Sequence, residues 1–315
     1  MLPSAVTATR RVAVLAGGDS AEREISLASG RNVARALERA GHTVVVIDPA
    51  RQELPNLDWR RFDACFIALH GGAGEDGRVQ QQLEDLGVAY TGSGPLASRL
   101  AMSKSASKAC FLQAGVPTPR FALFESDEPL AAVARRLAPL GYPLIVKPDS
   151  QGSSLGVSCA AGPAELAGCV QACLAFDSRG LAEPRVVGRE FTVAVLDRRP
   201  LPLLEIVGLE GIFSFDCKYH SRAIEHRFEH GLAQGTARRL EKAAVAAAEA
   251  LHTSGLVRVD FMLDEAGEPW VLEVNTSPGM TERSLAPEAA ARAGLELASL
   301  CDQLIRSCLT VEVVS

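Results

Sequence analysis

The chain has 315 residues, of which 47% are hydrophobic and 22% are charged, so it can bury a large core and form two or three domains. Its formal net charge of −6 argues against a nucleic-acid-binding surface, and no apolar stretch is long enough to cross a membrane. Eight cysteines at irregular spacings, without a Cys-x-x-Cys pair or a signal-peptide pattern, predict free thiols in a cytoplasmic protein.

The N-terminal third of the chain alternates strand and helix patterns. Strands are predicted from Arg11 and at residues 42–48, 62–69 and 88–91. Helices are predicted at residues 21–40, capped by Asp19 or Ser20, and at residues 79–86. This alternation is typical of a parallel α/β sheet whose functional loops lie at the strand ends.

A small Gly/Ser loop at residues 149–157 is the main chemical signal of the central part. One long helix is predicted before it, at residues 95–115, with Lys104 and Lys108 on it, and strands flank the loop. The loop is either a simple hairpin turn or a lid whose backbone N–H groups surround phosphates. Lys147, on the strand before it, favours nucleotide binding.

The segment from residue 208 to residue 235 is irregular and polar, which is typical of a functional or mobile loop. It contains His226 and His230, with glutamates beside both. A metal site is one interpretation, and a solvated helical face is the favoured one. Helices are predicted on both sides of the C-terminal hairpin, at residues 236–252 and, as one closing helix, at residues 287–309.

The strongest chemical signal is a hairpin formed by residues 256–263 and 269–275. Centring its turn places Asp260 opposite Glu273 and Arg258 opposite Asn275, all on one face. The other face is predicted to carry only apolar side chains: Val259, Phe261, Leu272 and Val274. Carboxylates directly across a strand pair repel each other, and a divalent cation such as Mg²⁺ removes that repulsion. The alternative is a solvent-facing hairpin with solubilising charges.

With these elements placed, the chain resembles the D-alanine–D-alanine ligases of the ATP-grasp superfamily from about residue 12 to residue 300. The resemblance rests on ordered strings, among them Gly-Ser-Ser-Leu-Gly at 152–156 and Glu-Val-Asn-Thr-Ser-Pro-Gly-Met at 273–280. Further strings lie at residues 15–26, 68–77, 90–94, 146–148, 190–193 and 258–260. It implies an α/β (α+β), three-domain ATP-grasp fold. The implied domains are an N-terminal parallel α/β substrate domain (1–103), a central lid domain (104–190) and a C-terminal catalytic domain (191–315).

The resemblance also implies a reaction and its residues. ATP phosphorylates a first D-alanine, and the amine of a second D-alanine attacks the acyl phosphate. The implied ligands of Mg²⁺, or of Mn²⁺, are Asp260, Glu273 and Asn275. The implied ATP-binding residues are Lys104, Lys147, Ser153, Glu183, Val186, Glu190 and Lys218. Glu22 binds the first ammonium group, Ser153 and Tyr219 close the site, and Arg258 steadies the tetrahedral intermediate. His70, Gly279, Ser284 and Leu285 surround the second substrate. A homodimer is usual for such ligases.

Three departures from the family pattern leave other functions open. Pro184 replaces a lysine beside Glu183, residues 223–232 are charged and histidine-rich, and Arg283 stands where a smaller residue or a histidine is common. One alternative is a related carboxylate–amine ligase with a different acceptor in specialised metabolism. Another is a non-catalytic nucleotide-binding protein, which the intact Arg258, lysines and metal ligands argue against.

Overall fold

The computed structural model of the chain describes residues 8–208, 224–281 and 283–310. Its strands are β1 (Arg11–Leu15), β2 (Thr43–Ile47), β3 (Ala64–Ile67), β4 (Ala122–Glu125), β5 (Leu144–Pro148), β6 (Ser158–Ala160), β7 (Arg179–Pro184), β8 (Gly188–Leu196), β9 (Arg199–Pro200), β10 (Leu204–Val207), β11 (Glu225–Arg227), β12 (Leu256–Asp264) and β13 (Pro269–Asn275). Its helices are α1 (Arg23–Arg39), α2 (Arg78–Asp85), α3 (Pro95–Met102), α4 (Lys104–Gln113), α5 (Leu130–Leu137), α6 (Pro163–Leu174), α7 (Gln234–Ala250), α8 (Leu285–Arg292) and α9 (Leu297–Thr310).

The described strands form three sheets. The N-terminal sheet has the order β2-β1-β3 and is parallel, as predicted. The central sheet has the order β4-β7-β5-β6, and the large sheet has the order β11-β10-β8-β12-β13, with β9 paired to β8. Neighbours in these two sheets are antiparallel. The predicted mixed α/β architecture with a parallel N-terminal sheet is therefore confirmed.

Strand β1 is buried on both faces, which explains its unbroken apolar sequence. Val12 and Val14 belong to one hydrophobic cluster, and Ala13 and Leu15 belong to another. The first cluster also contains residues of α1, α8 and α9, so the C-terminal helices pack against the N-terminal sheet. No helix among the described residues is long and apolar enough to cross a membrane.

The predicted register of the hairpin is confirmed. Asp260 pairs with Glu273, and Arg258 pairs with Asn275. A bulge follows Asp260, because Phe261 pairs with Val271 and leaves Leu272 as an extra residue on β13. Val271 therefore joins the hydrophobic core, whereas Leu272 lines the same cavity as Glu273. The prediction that Leu272 lies on the core face was wrong, because strict alternation does not hold across a bulge.

Each of the two long helices that were predicted is divided into two shorter helices in the structure. The pattern at residues 95–115 breaks at Ser103, whose backbone is extended and whose hydroxyl accepts a hydrogen bond from the Ala106 N–H. This N-cap starts α4 at Lys104. The predicted helix at residues 287–309 is α8 and α9, separated by Gly294 at a φ of +82°.

Other local predictions were also wrong. Neither Asp19 nor Ser20 caps helix α1: its N-cap is Glu22, without a side-chain cap, and the Ser20 hydroxyl instead accepts from the Glu22 N–H and donates to the His70 carbonyl. Residues 88–91 form only an isolated bridge at Tyr90 beside Cys65. His226 lies on β11, which pairs with β10, so it is not on a helical face. The predicted domain bounds remain a prediction, and the boundary after residue 190 falls inside β8.

Candidate active site

A cavity of about 600 Å³ lies between the central sheet and the large sheet. A volume of this size suits a small organic ligand or a nucleotide. Its walls include these predicted residues: Lys104, Lys147, Glu183, Val186, Glu190, Asp260 and Glu273. The structure therefore brings five of the seven predicted nucleotide-binding residues to one place with two of the three predicted metal ligands. Pro184, the first departure from the family pattern, also lines this cavity.

Glu183 lies on the wall of this cavity and is held between two lysines. The Lys147 Nζ lies 2.5 Å from Glu183 Oε1, and the Lys108 Nζ lies 2.7 Å from Glu183 Oε2. Burial raises the pKa of the Glu183 carboxyl, but the two ammonium groups outweigh burial, and the net pKa is lowered. Glu183 therefore stays ionised. Sequence reasoning placed Lys108 on a helix without assigning it to the site. Its spacing of four from Lys104 was the available signal.

Lys104 and the Gly/Ser loop are fixed to each other by Asp149. The Asp149 carboxylate accepts hydrogen bonds from the Ser105 N–H at 2.7 Å and from the Ser103 and Ser105 hydroxyls at 2.9 and 3.0 Å. The Lys104 Nζ donates to the Gln151 carbonyl at 2.6 Å. The loop therefore starts from a buried carboxylate bound to the first turn of α4. Sequence reasoning did not identify Asp149 as part of the site.

The hairpin carboxylate Asp260 is surrounded by donors. Arg258 donates through Nε and a terminal nitrogen, both at 2.8 Å, Thr192 donates at 2.7 Å and Asn275 donates at 3.1 Å. A carboxylate has about four acceptor positions, so cation binding requires that one of these donors gives way.

The oxygen atoms of Asp260, Glu273 and Asn275 are nevertheless of the type that binds a hard divalent cation. Asp260 and Glu273 are paired across the hairpin, and the Asn275 amide directs its nitrogen to Asp260, which places its oxygen on the other side of the group. Among the described residues, no three His, Cys, Asp or Glu side chains form a candidate metal site. The hairpin set has two carboxylates and an amide, so that finding does not count against it.

Glu22 and Ser153 meet across a long sequence separation. The Ser153 hydroxyl donates to Glu22 Oε1 at 2.5 Å, which joins the Gly/Ser loop to the start of α1. Ser153 has a φ of +53°, a conformation that is unfavourable for a residue with a side chain. Gly71 lies directly against Glu22, since a Cβ at this position would be 2.7 Å from Glu22 Oε2. The predicted pair of Glu22 and Ser153 is thus in contact.

His70 is buried with one defined proton position. Its Nδ1 faces the Ser277 carbonyl at 3.1 Å and must donate, so its Nε2 accepts from the Ser29 hydroxyl at 2.8 Å. Burial lowers the pKa of His70, partly offset by the nearby Glu22 carboxylate. The imidazole is therefore neutral at physiological pH.

Glu75 is a third functional candidate that sequence reasoning missed, although it lies in the string at residues 68–77. Its carboxyl lies 3.9 Å from the His70 Nδ1. Burial, followed by the negative charge of Glu22, raises the pKa of Glu75 to about 8. A carboxyl group that keeps its proton near neutral pH is typical of a functional site.

Gly279, Ser284 and Leu285 lie at the N-terminal end of α8. The Ser284 hydroxyl is 2.8 Å from the Thr281 hydroxyl, and a Cβ at Gly279 would come within 2.7 Å of it. Leu285 is the first residue of the helix, where backbone N–H groups attract a carboxylate. Arg283 is exposed beside them.

The histidine-rich segment packs against the same helix. His226 Nδ1 lies 2.6 Å from Glu288, and Glu229 is paired with Arg292. This arrangement replaces the predicted solvated helical face. Lys218 and Tyr219, two further predicted site residues, lie outside the described residues.

Comparison with known proteins gives a consistent result over nearly the whole chain. A family model described as "D-ala D-ala ligase C-terminus" matches residues 110–306. The chain is 45% identical over 295 residues to D-alanine–D-alanine ligase of Bordetella avium, covering 92% of each chain. It is 44% identical to the ligase of Nitrosomonas europaea, covering 94% of this chain and 96% of the relative.

Solved structures give the same match in three dimensions. The D-alanine–D-alanine ligase of Bacillus anthracis complexed with ATP superposes with a TM-score of 0.85 at 32% identity, covering 96% of this chain and 98% of that one. The ligase of Coxiella burnetii superposes with a TM-score of 0.83 at 27% identity, covering 96% of this chain and 94% of that one. The predicted ATP-grasp fold is thereby confirmed.

Proposed function

Because the chain belongs to the D-alanine–D-alanine ligase family, we propose that it joins two D-alanines into D-alanyl-D-alanine for peptidoglycan precursors, forming ADP and phosphate from ATP. The observation that carries this proposal is the cavity whose walls contain Lys104 and Lys147 together with Asp260 and Glu273. Cations near a nucleotide and paired carboxylates for a metal are what phosphoryl transfer requires.

The first step activates a carboxylate. Glu22 holds the ammonium group of the first D-alanine. An oxygen of the D-alanine carboxylate attacks the γ-phosphorus of ATP. The bond from that phosphorus to ADP breaks, which leaves an acyl phosphate. Lys104, Lys147 and Lys218 bind the ATP phosphates, because charge on the phosphoryl oxygens must be stabilised in the transition state. Glu183, Val186 and Glu190 surround adenine and ribose.

Asp260, Glu273 and Asn275 would hold Mg²⁺ or Mn²⁺, and the bound cation would supply positive charge beside the transferring phosphoryl group.

The second step forms the peptide bond. The carboxylate of the second D-alanine lies at Gly279, Ser284 and Leu285, and neutral His70 lies beside the substrate. The amine attacks the acyl carbon, and Arg258 stabilises the negative oxygen of the tetrahedral intermediate. Collapse of that intermediate breaks the bond between carbon and phosphate oxygen, and the phosphate leaves with the proton that the amine nitrogen gives up. Ser153 and Tyr219 keep water out of the site, because water would hydrolyse the acyl phosphate.

We also propose, from the family alone, that the protein is a homodimer and is located in the cytoplasm.

A related carboxylate–amine ligase is the second candidate. It is favoured by one specific observation, the exposed cationic Arg283 beside Ser284 at the acceptor end of the site. An acceptor with an additional negative charge would suit this position.

The experiment is phosphate release from ATP and Mg²⁺ with D-alanine or L-alanine, with mass spectrometry of the products. We expect one D-alanyl-D-alanine per phosphate with D-alanine and no product with L-alanine. Phosphate released only after another amine is added would establish the second candidate. No release with any amine would support the non-catalytic alternative.

A further inference from the structure

Lys108 is a lysine with 0% of its surface exposed, which is rare for this residue type. Its ammonium group donates hydrogen bonds to Thr118 Oγ1 at 2.7 Å and to the Pro119 carbonyl at 2.9 Å, and it forms an ion pair with Glu183 Oε2 at 2.7 Å. Two hydrogen bonds and one ion pair thus surround the ammonium group. The Thr118 hydroxyl in turn donates to the Val271 carbonyl at 2.8 Å. The position of this ammonium is therefore determined by its surroundings.

The two lysines on Glu183 differ in where they can reach. Lys147 lines the cavity and has 8% of its side chain exposed, whereas Lys108 does not line the cavity. Only Lys147 can therefore contact a nucleotide. If Lys108 were absent and Lys147 moved to a nucleotide, the buried negative charge of Glu183 would have no positive partner. A buried charge without a partner is strongly unfavourable.

We propose that Lys108 is a positioning residue that keeps Glu183 compensated, so that Lys147 is available to a nucleotide phosphate. This proposal rests on the proposed function, in which Lys147 binds ATP. The group of two ammoniums and one carboxylate carries one positive charge in excess, and Lys147 delivers that charge to the cavity. In the absence of Lys108, Lys147 stays in the ion pair with Glu183 and does not contact a phosphate.

The test compares the dissociation constants of adenosine and ATP, since only ATP carries the phosphates that Lys147 would contact. In Lys108→Met, the preference for ATP over adenosine should fall about tenfold, the size of one hydrogen bond between charged groups. A merely structural role would weaken both ligands equally. Lys242→Met, which changes an exposed lysine on α7, should leave the preference unchanged. An unchanged preference in folded Lys108→Met would overturn the proposal.

A second variant keeps the proposal testable if Lys108→Met does not fold. In Lys108→Met/Glu183→Gln both charges are removed, so Lys147 is free again. Because Glu183 lies at the adenine end, its loss should weaken adenosine and ATP by the same factor, so both dissociation constants rise while their ratio stays within about threefold of that of the unmodified protein. A tenfold loss of the preference for ATP in this double variant would contradict the proposal. Failure of the unmodified protein to prefer ATP would instead count against the proposed function.

Discussion

Asp260 is the residue on which the proposed chemistry depends most, because it is bound to Arg258 and paired with Glu273 at the same time. Its predicted position was correct because hairpin register follows from the turn and from the apolar alternation around it. The four hydrogen bonds it accepts were not predictable, since one comes from Thr192 on a different strand.

We predict that Asp260→Asn lowers kcat by about 100-fold or more, because the amide weakens a metal ligand and presents donors to Arg258 and Asn275. The concentration of Mg²⁺ at half-saturation should rise as well. The measurement is steady-state dipeptide formation over a range of Mg²⁺ concentrations.

The matched control is Glu268→Gln, which changes an exposed carboxylate near the turn of the same hairpin, paired with Arg239. It should retain full activity. Unaltered turnover in Asp260→Asn would show that the metal assignment is wrong.

Lys108, Glu75 and Asp149 show why part of the site escaped sequence reasoning. A lysine four residues after another on a helix, or an acid in a glycine-rich string, has the same appearance whether it is solvated or buried. Burial and partner identity decide the role, and both arise from contacts between distant segments, such as Lys108 with Glu183.

At the scale of elements, the strands of the hairpin matched the prediction well, because long apolar patterns identify buried strands. The two broken helices did not match. Ser103 and Gly294 interrupt patterns that are otherwise compatible with one helix, and the break depends on local hydrogen bonds and on a positive φ.

The turn between β1 and α1 gives a prediction of pH dependence. The Arg23 guanidinium, together with the N–H groups of Gly18 and Ala50, lowers the pKa of Asp48 from 3.8 to about 2. A carboxyl whose pKa is lowered by folding stabilises the protein above the unfolded value, and this contribution is lost as the pH falls toward 2. Asp48→Asn should therefore lower Tm by about 2–4 °C at pH 6.

The Tm difference should narrow as the pH falls below 3.8. Thermal unfolding at several pH values measures this, with Asp58→Asn, at an exposed pair with Arg60, as the control. A difference that is constant with pH would contradict the assignment.

The loop that carries Ser153 gives a second prediction at this scale. Asp149→Ala removes the carboxylate that joins the loop to Ser103 and Ser105. The loop should then close less well, so that water hydrolyses some of the acyl phosphate. We expect phosphate released per dipeptide to rise from 1 to about 2 or more.

Glu165→Gln is the matched control, because Glu165 accepts a backbone hydrogen bond at an exposed position in the first turn of α6. A ratio that stays at 1 in Asp149→Ala, whatever its Tm, would rule out a role of Asp149 in closure.

At the scale of the whole molecule, the site exists only because three sheets meet. Glu22 comes from the first helix, Ser153 from the central loop, and Arg258 and Asp260 from the C-terminal hairpin. Composition and periodicity predicted the parallel first sheet and the hairpin but gave no contacts between segments that are distant in the sequence. The order of the motifs resembles that of one family, and this resemblance predicted which distant segments form one site.

The most direct test of the acyl-phosphate mechanism follows the oxygen that the first D-alanine transfers. D-alanine labelled with ¹⁸O in its carboxylate is incubated with ATP and Mg²⁺, and the phosphate is analysed by mass spectrometry. We expect one ¹⁸O atom in each phosphate for each dipeptide formed, because the bond between carbon and oxygen breaks in the second step. Phosphate without label, formed together with dipeptide, would contradict the mechanism.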